Sequence, residues 1–142
     1  MHKENTFDKE IIFNGTNLIS ETDTLGIITY VNRSFCELMG YSKDELIGKS
    51  HTLIRHPDMP HIAFQEMWNR LSSGKRWSGH IKNLHKDGSH SWVLADIIAK
   101  YDEKGNITGY IASRRSPGAN LLEMKKQYKK FKDYELKHRQ SA

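Results

Sequence analysis

The residues best placed to do chemistry fall in two short stretches. The first is His51-Thr52-Leu53-Ile54-Arg55-His56-Pro57-Asp58-Met59-Pro60. Two prolines three apart break regular helix, so this is a stiff, bent loop. Arg55 and His56 are good anion donors. Asp58 lies just before a helix start, where a capping carboxylate contributes about 1 kcal/mol. Together the cation, the imidazole and the carboxylate read as a polar clamp, with Asp58 as a plain helix cap the alternative. The second stretch is the strand-like run Arg76–Leu84. At period two, Trp77, Gly79, Ile81 and Asn83 share one face, and Arg76, Ser78, His80 and Lys82 share the other, expected to meet solvent. The first face is apolar except for Asn83. Its carboxamide needs both a donor and an acceptor partner: it bonds to backbone, or it faces the polar edge of a buried ligand. Gly79 leaves room for something flat beside Trp77.

Little points to catalysis. The chain has eight histidines, but none falls in H-x-x-x-H or a Cys/His ligand pattern. There is no G-x-S-x-G and no phosphate-cradling G-x-x-x-x-G-K-[ST]. The single cysteine, Cys36, lies beside Phe35 on a short helix and reads as a small core residue. Alone it forms no internal disulfide, and a reducing, intracellular setting, the cytoplasm, is expected.

The elements that must position these residues are legible from periodicity. Ile27-Ile28-Thr29-Tyr30-Val31 reads as a strand after the turn at Gly26, itself preceded by a strand around Leu18-Ile19. Phe35, Leu38 and Met39 are spaced for a short helix. Ser42-Lys43-Asp44-Glu45 has the form of a capping box, with Gly48 as a terminator. Phe64, Met67, Trp68 and Leu71 share one face of a helix that starts near Pro60. Lys86-Asp87-Gly88 is a hairpin signal between two longer strands. Glu103–Asn106 turns into a last strand over Ile107–Ala112, and Ser116-Pro117-Gly118 ends the sheet. The order is two strands, short helices, three strands and a final helix, an α+β domain with an antiparallel sheet. The expected division is an N-terminal extension over 1–14, a folded domain over 15–116 and a basic amphipathic helix over 119–142.

Composition agrees with one globular domain: 142 residues, 37% hydrophobic and 27% charged. No apolar run is long enough to span a membrane, and direct membrane insertion is not expected. The net charge of +5 is concentrated at the end. Residues 119–142 hold seven Lys/Arg against three Asp/Glu, and residues 1–118 hold fifteen against fourteen. The domain itself has no basic excess for nucleic acid. In the last helix Leu121, Met124, Tyr128 and Phe131 keep a 3-4-3 spacing. That face is expected to be exposed on a monomer and to serve self-association or partner docking.

Thr22-Asp23…Gly26-Ile27-Ile28-Thr29-Tyr30-Val31-Asn32, followed by Gly40-Tyr41-Ser42-Lys43-Asp44-Glu45-Leu46-Ile47-Gly48, resembles a PAS domain. Leu53–Pro60…Ala63-Phe64…Met67-Trp68 and Trp77-Ser78-Gly79…Lys82-Asn83…Lys86-Asp87-Gly88…Trp92-Val93 resemble the FAD-binding PAS domains of the aerotaxis receptor group. The likeness covers about residues 18–115. It implies a PAS fold, with a five-stranded antiparallel sheet, short helices on one side and a C-terminal helix. It also implies a non-covalent FAD whose redox state reports on respiration or oxygen. Carried over by motif, the cofactor-binding residues are Asn32, His51, Arg55, His56, Asp58, Phe64, Trp68, Trp77 and Asn83. Arg55 to Asp58 would support the adenine and phosphate side, and Trp77 and Asn83 would meet the isoalloxazine ring. The implied partners are a second copy in a homodimer and a membrane-bound chemotaxis transducer or other signalling protein. The group's proline near Ala99-Lys100 is missing here. The group's membrane anchor and signalling hairpin are also missing, as expected for a stand-alone PAS protein or a fragment. The N-C-R-F-L-Q motif of light-sensing cysteinyl-flavin domains is absent. The alternative is a dimerisation and partner-binding module whose pocket is empty or holds haem. An enzyme is not expected.

Overall fold

The computed structural model describes residues 8–139. In chain order these form β1 (Leu18–Asp23), β2 (Ile28–Val31), α1 (Arg33–Met39), α2 (Lys43–Leu46), a 3-10 turn (His51–Ile54), α3 (His61–Ser72), β3 (Trp77–Leu84), β4 (His90–Tyr101), β5 (Ile107–Arg115) and α4 (Leu121–His138). The strands make one antiparallel sheet in the order β2-β1-β5-β4-β3. The first and last strands meet at its centre, so β5 faces whatever the intervening helices enclose.

Local chemistry explains the helical excursion. Asn32 caps α1, its Oδ1 accepting from the N–H of Phe35 at 3.0 Å, and Gly40 ends that helix in the left-handed region at φ 79°. The Ser42/Glu45 capping box closes reciprocally around α2. Pro60 occupies the capping position of α3 but has no side-chain acceptor to offer. The Glu135 carboxylate supplies it instead, from α4: its oxygens accept from the N–H groups of His61 and Ile62 at 2.9 and 3.0 Å. Phe35, Met39, Leu46, Ile54 and Leu71 pack from the helical side onto Leu18, Ile28, Val93 and Ala95 of the sheet, forming the core.

Two expectations are corrected. The face of β3 bearing His80 does not simply meet solvent. His80 is buried, its Nε2 lies 2.7 Å from the Pro117 carbonyl, and its own carbonyl accepts from the Tyr128 hydroxyl at 2.9 Å. The apolar face of α4 is not left exposed either. Leu121, Met124, Tyr128 and Phe131 are half-buried, and Tyr128 stacks on Trp92 with ring centroids 6.1 Å apart. Leu121 and Tyr128 pack on a second small core of Met59, Ala63 and Trp92. The physical reason is long-range: the chain turns back after Pro117 and covers the outer side of β3 and β4. Period-two alternation cannot register that cover.

The described part of the N-terminal extension also joins the sheet. β5 ends opposite Leu94, so residues 90–93 have no partner from β5. Residues 9–11 pair with the start of that stretch, at His90. His90 N–H donates to the Lys9 carbonyl at 2.9 Å, and Ile11 N–H donates to the His90 carbonyl at 2.7 Å. Residues 1–7 of the expected extension, and 140–142 of the expected helix, lie outside the described residues.

Candidate functional site

A cavity of about 70 Å³ lies between the sheet and the helical excursion and opens outward. The sheet contributes Ser20 and Thr22 from β1, Ile81 and Asn83 from β3, Ile97 from β4, and Tyr110, Ala112 and Arg114 from β5. The opposite wall is His51, Ile54, Arg55, Phe64, Met67, Trp68 and Leu71. Alternation explains the sheet side, because Ile81/Asn83 and Tyr110/Ala112/Arg114 are each in phase along one strand. On the helix side, Phe64, Met67, Trp68 and Leu71 are the apolar stripe of α3.

Arg114 dominates the electrostatics. It is the largest fully buried side chain, 1% exposed. Its Nη2 donates to Nε2 of His51 at 3.0 Å, and its guanidinium carbon lies 4.9 Å from the Phe35 ring centroid. Nε and Nη1 have no hydrogen-bond partner. Burial lowers its pKa to about 10, which still leaves it charged at neutral pH. Among the described residues, no carboxylate forms an ion pair with Arg114 or with Arg55. A buried cation without a counter-charge is costly unless a ligand supplies one.

The same contact fixes His51. Since Arg114 can only donate, Nε2 of His51 accepts and the ring's proton sits on Nδ1. Burial, with Arg114 and Arg55 nearby, pushes the imidazole down to about 3. Ser20 Oγ lies 3.2 Å from the same Nε2, a spacing that suggests a nucleophile and its base. A base this weak does not take a serine proton near neutral pH. The pair orients side chains; it does not activate a nucleophile.

Asn83 is 1% exposed and its Nδ2 has no partner. Its backbone pairs with Arg55 in an isolated antiparallel bridge, which ties the stiff loop to β3. Arg55 lies over Phe64, 3.6 Å from guanidinium carbon to ring centroid. Trp68 stands edge-on to Tyr110 at 5.3 Å and is partly exposed at the mouth. Beyond them a surface groove past Thr24, Leu25, Ser50 and Thr52 shares Gly26, His51, Arg55 and Trp68 with the cavity. The inner space and the outer groove thus share a wall.

Of the residues expected at a cofactor, His51, Arg55, Phe64, Trp68 and Asn83 thus line one cavity. The other four sit elsewhere. Asn32 caps α1 and holds β1, its Oδ1 accepting from the Ile19 N–H at 3.2 Å and its Nδ2 donating to the Asn17 carbonyl. Trp77 is buried on the expected face, but its ring lies over Gly79, where a Cβ would approach it to 2.5 Å, and it does not line the cavity. His56 and Asp58 leave the loop on its outer side. His56 Nδ1 accepts from the Asp58 N–H at 3.0 Å, and the Asp58 carboxylate takes Lys82 Nζ at 3.2 Å. Arg114 was not expected. Its signal was its phase with Tyr110 and Ala112, masked by the polar run Ser113–Ser116.

A sheet in the order 2-1-5-4-3 around an internal cavity narrows the possibilities, and a family model described as the PAS fold matches residues 28–114. The chain belongs to the PAS family. This PAS domain is 41% identical over 115 residues to the aerotaxis receptor of Escherichia coli (strain K12), a match covering 80% of this chain and 22% of the receptor. It is 34% identical over 97 residues to the nitrogen fixation regulatory protein of Klebsiella pneumoniae, covering 68% of this chain and 20% of that protein. The chain therefore spans about a fifth of these curated relatives. Among solved structures, the light state of the blue-light photoreceptor Aureochrome1 LOV superposes with a TM-score of 0.68 at 25% identity, covering 77% of this chain and 88% of that one. The PAS domain is thus similar to sensory modules. No helix among its described residues is long and apolar enough to cross a membrane.

Proposed function

We propose that this PAS domain holds FAD non-covalently in the cavity and passes its redox state, as a report on oxygen or energy supply, to a signalling partner. The observation that carries the reading is the set of orphaned donors on the cavity wall: Nε and Nη1 of Arg114 and Nδ2 of Asn83. They call for a buried ligand edge rich in acceptors and able to carry negative charge, and the pyrimidine side of a flavin is such an edge. The surrounding Phe64, Met67, Leu71 and Ile97 suit the flat apolar remainder. The outer groove on the other side of that wall favours a dinucleotide over a shorter flavin, with Arg55 in the shared wall to meet phosphate.

Bound FAD supplies a redox centre whose charge and protonation change on reduction. The protein's own groups are arranged to respond. Arg114 favours the more anionic form of whatever edge it meets. The Asn83 carboxamide can donate or accept, so it can serve either state. His51 stays neutral and holds Arg114 in place. Arg114 is three residues from Pro117, whose carbonyl faces His80 before α4 begins. A shift of β5 therefore reaches α4 through a short covalent path, and a change of a few kcal/mol suffices to move a two-state equilibrium. We assign the output to α4, docking on a chemotaxis-type transducer or within a homodimer in the cytoplasm.

Haem fits the site less well. Its ligand would come from His51, the one cavity-lining histidine among the described residues, and Nε2 of that ring is engaged by Arg114. The test is direct. Purified protein should be yellow, and denaturation should release a compound that chromatographs as FAD. Protein that stays colourless after reconstitution with excess FAD overturns the proposal.

A further inference from the structure

Asp8, His56 and His90 come from three distant parts of the chain, yet their ligand atoms all lie within 4.8 Å of one another. Asp8 Oδ1 is 2.7 Å from His56 Nε2 and 2.9 Å from His90 Nδ1. Both histidines are buried. His90 is 7% exposed, and its Nδ1 points at Asp8 without completing a hydrogen bond. We propose that this cluster is a binding site for a zinc-class divalent transition-metal ion, ligated by His56 Nε2, His90 Nδ1 and the Asp8 carboxylate.

The donor set is two imidazoles and one carboxylate, which suits zinc and its neighbours and not magnesium or calcium. Around a tetrahedral ion with bonds of about 2.0–2.1 Å, ligand atoms stand roughly 3.4 Å apart. The Asp8 pairs must therefore open by about 0.5 to 0.7 Å, which suits an exposed carboxylate. The outer shell is also in place. Metal-bound histidines usually direct their second ring nitrogen at a carboxylate. His90 Nε2 lies 3.5 Å from Glu10 Oε1, and His56 Nδ1 lies 3.8 Å from Asp58 Oδ2. Each outer carboxylate is steadied by a lysine: Glu10 by Lys125 at 2.7 Å and Asp58 by Lys82 at 3.2 Å. Loading moves the His56 proton from Nε2 to Nδ1, where Asp58 Oδ2 replaces the Asp58 N–H as its partner. The ion would clasp the N-terminal segment to the loop whose preceding residue, Arg55, lines the cavity.

The experiment is titration of the chelator-treated full chain with zinc chloride by calorimetry. The same titration with cobalt(II) would be followed by its visible ligand-field band. One equivalent of zinc should bind, and cobalt should give the intense spectrum of a four-coordinate site. Asp8→Asn, at an exposed position that no core packing depends on, should lower zinc affinity by more than about tenfold, and Glu10→Gln by about tenfold. His90→Gln should abolish binding. Exposed His61→Gln should change nothing. No saturable binding by the wild-type chain overturns the assignment. So does zinc affinity unchanged in both Asp8→Asn and His90→Gln, or lost equally in His61→Gln.

Discussion

Arg114 donates to Nε2 of His51 across 3.0 Å, so the one cation buried beneath the cavity is held by a neutral ring and not by an anion. The consequence is opposite in the ligand-free and loaded states. Arg114→Met removes orphaned donors, so the ligand-free domain should gain about 1–3 kcal/mol in thermal unfolding. The same change should cost the flavin about 1.5–3 kcal/mol, roughly 10- to 150-fold in affinity. Arg76→Ala, on the exposed side of β3, should leave flavin occupancy unchanged. Equal occupancy in the Arg114 and Arg76 variants would contradict the role given to Arg114.

His51 gives the acid limb of stability a definite sign. Its folded pKa lies near 3 against 6.5 for a free imidazole. Between those values the unfolded chain binds the extra proton, so stability is complete above about pH 6.5 and falls as pH drops. Burial moves His56 and His85 in the same direction. Carboxylates held low, such as Glu45 near 2 through its Lys86 and Ser42 bonds, act only below about pH 4.5. The window from 6.5 to 4.5 therefore reports on histidine. Urea midpoints of His51→Gln should fall less steeply across that window than those of wild type.

The Glu135 carboxylate that closes the start of α3 should be felt at both helices. Glu135→Ala should cost about 1 kcal/mol, the usual value of a lost cap, and should speed hydrogen exchange at His61, Ile62 and in the last turns of α4. Glu135→Gln keeps one acceptor oxygen and should recover part of the loss. Unchanged exchange in α4 would mean that Tyr128 and Leu121 hold that helix alone.

Asn83→Leu removes the orphaned amide while keeping an apolar volume of similar size. Trypsin cleavage at the lysines of α4 should proceed at different rates in oxidised and dithionite-reduced wild-type protein. In Asn83→Leu the two rates should converge. A variant that keeps its flavin and the full difference would make Asn83 a structural residue.

Sequence patterning identified what depends on local period and on loop chemistry. The inward face of β3, the stripe of α3 and the stiffness around Pro57 and Pro60 all follow from neighbouring residues, and they bring Arg55, Phe64, Trp68 and Asn83 together. What depends on distant segments stayed hidden. His80 is buried because α4 folds back over β3. The sheet order and the helical wall place Arg114 opposite His51, sixty-three residues away. A charged pair at the end of a strand normally marks solvent, and only the phase with Tyr110 and Ala112 separates Arg114 from Arg115, which turns outward to Asp96.

Arg55 and His56 are successive residues whose side chains leave the loop in opposite directions, one into the cavity and one toward Asp8. A single backbone segment would thus sit on both proposed binding equilibria at once. Any displacement that eases one occupant and strains the other enters both with the same magnitude, because the two routes around a closed thermodynamic cycle must agree. If occupancy on the Asp8 side tightens retention in the cavity tenfold, occupancy of the cavity tightens the Asp8 side by that same factor. Cellular metal supply and electron supply would then be read as a product, through the peptide unit joining two neighbouring side chains.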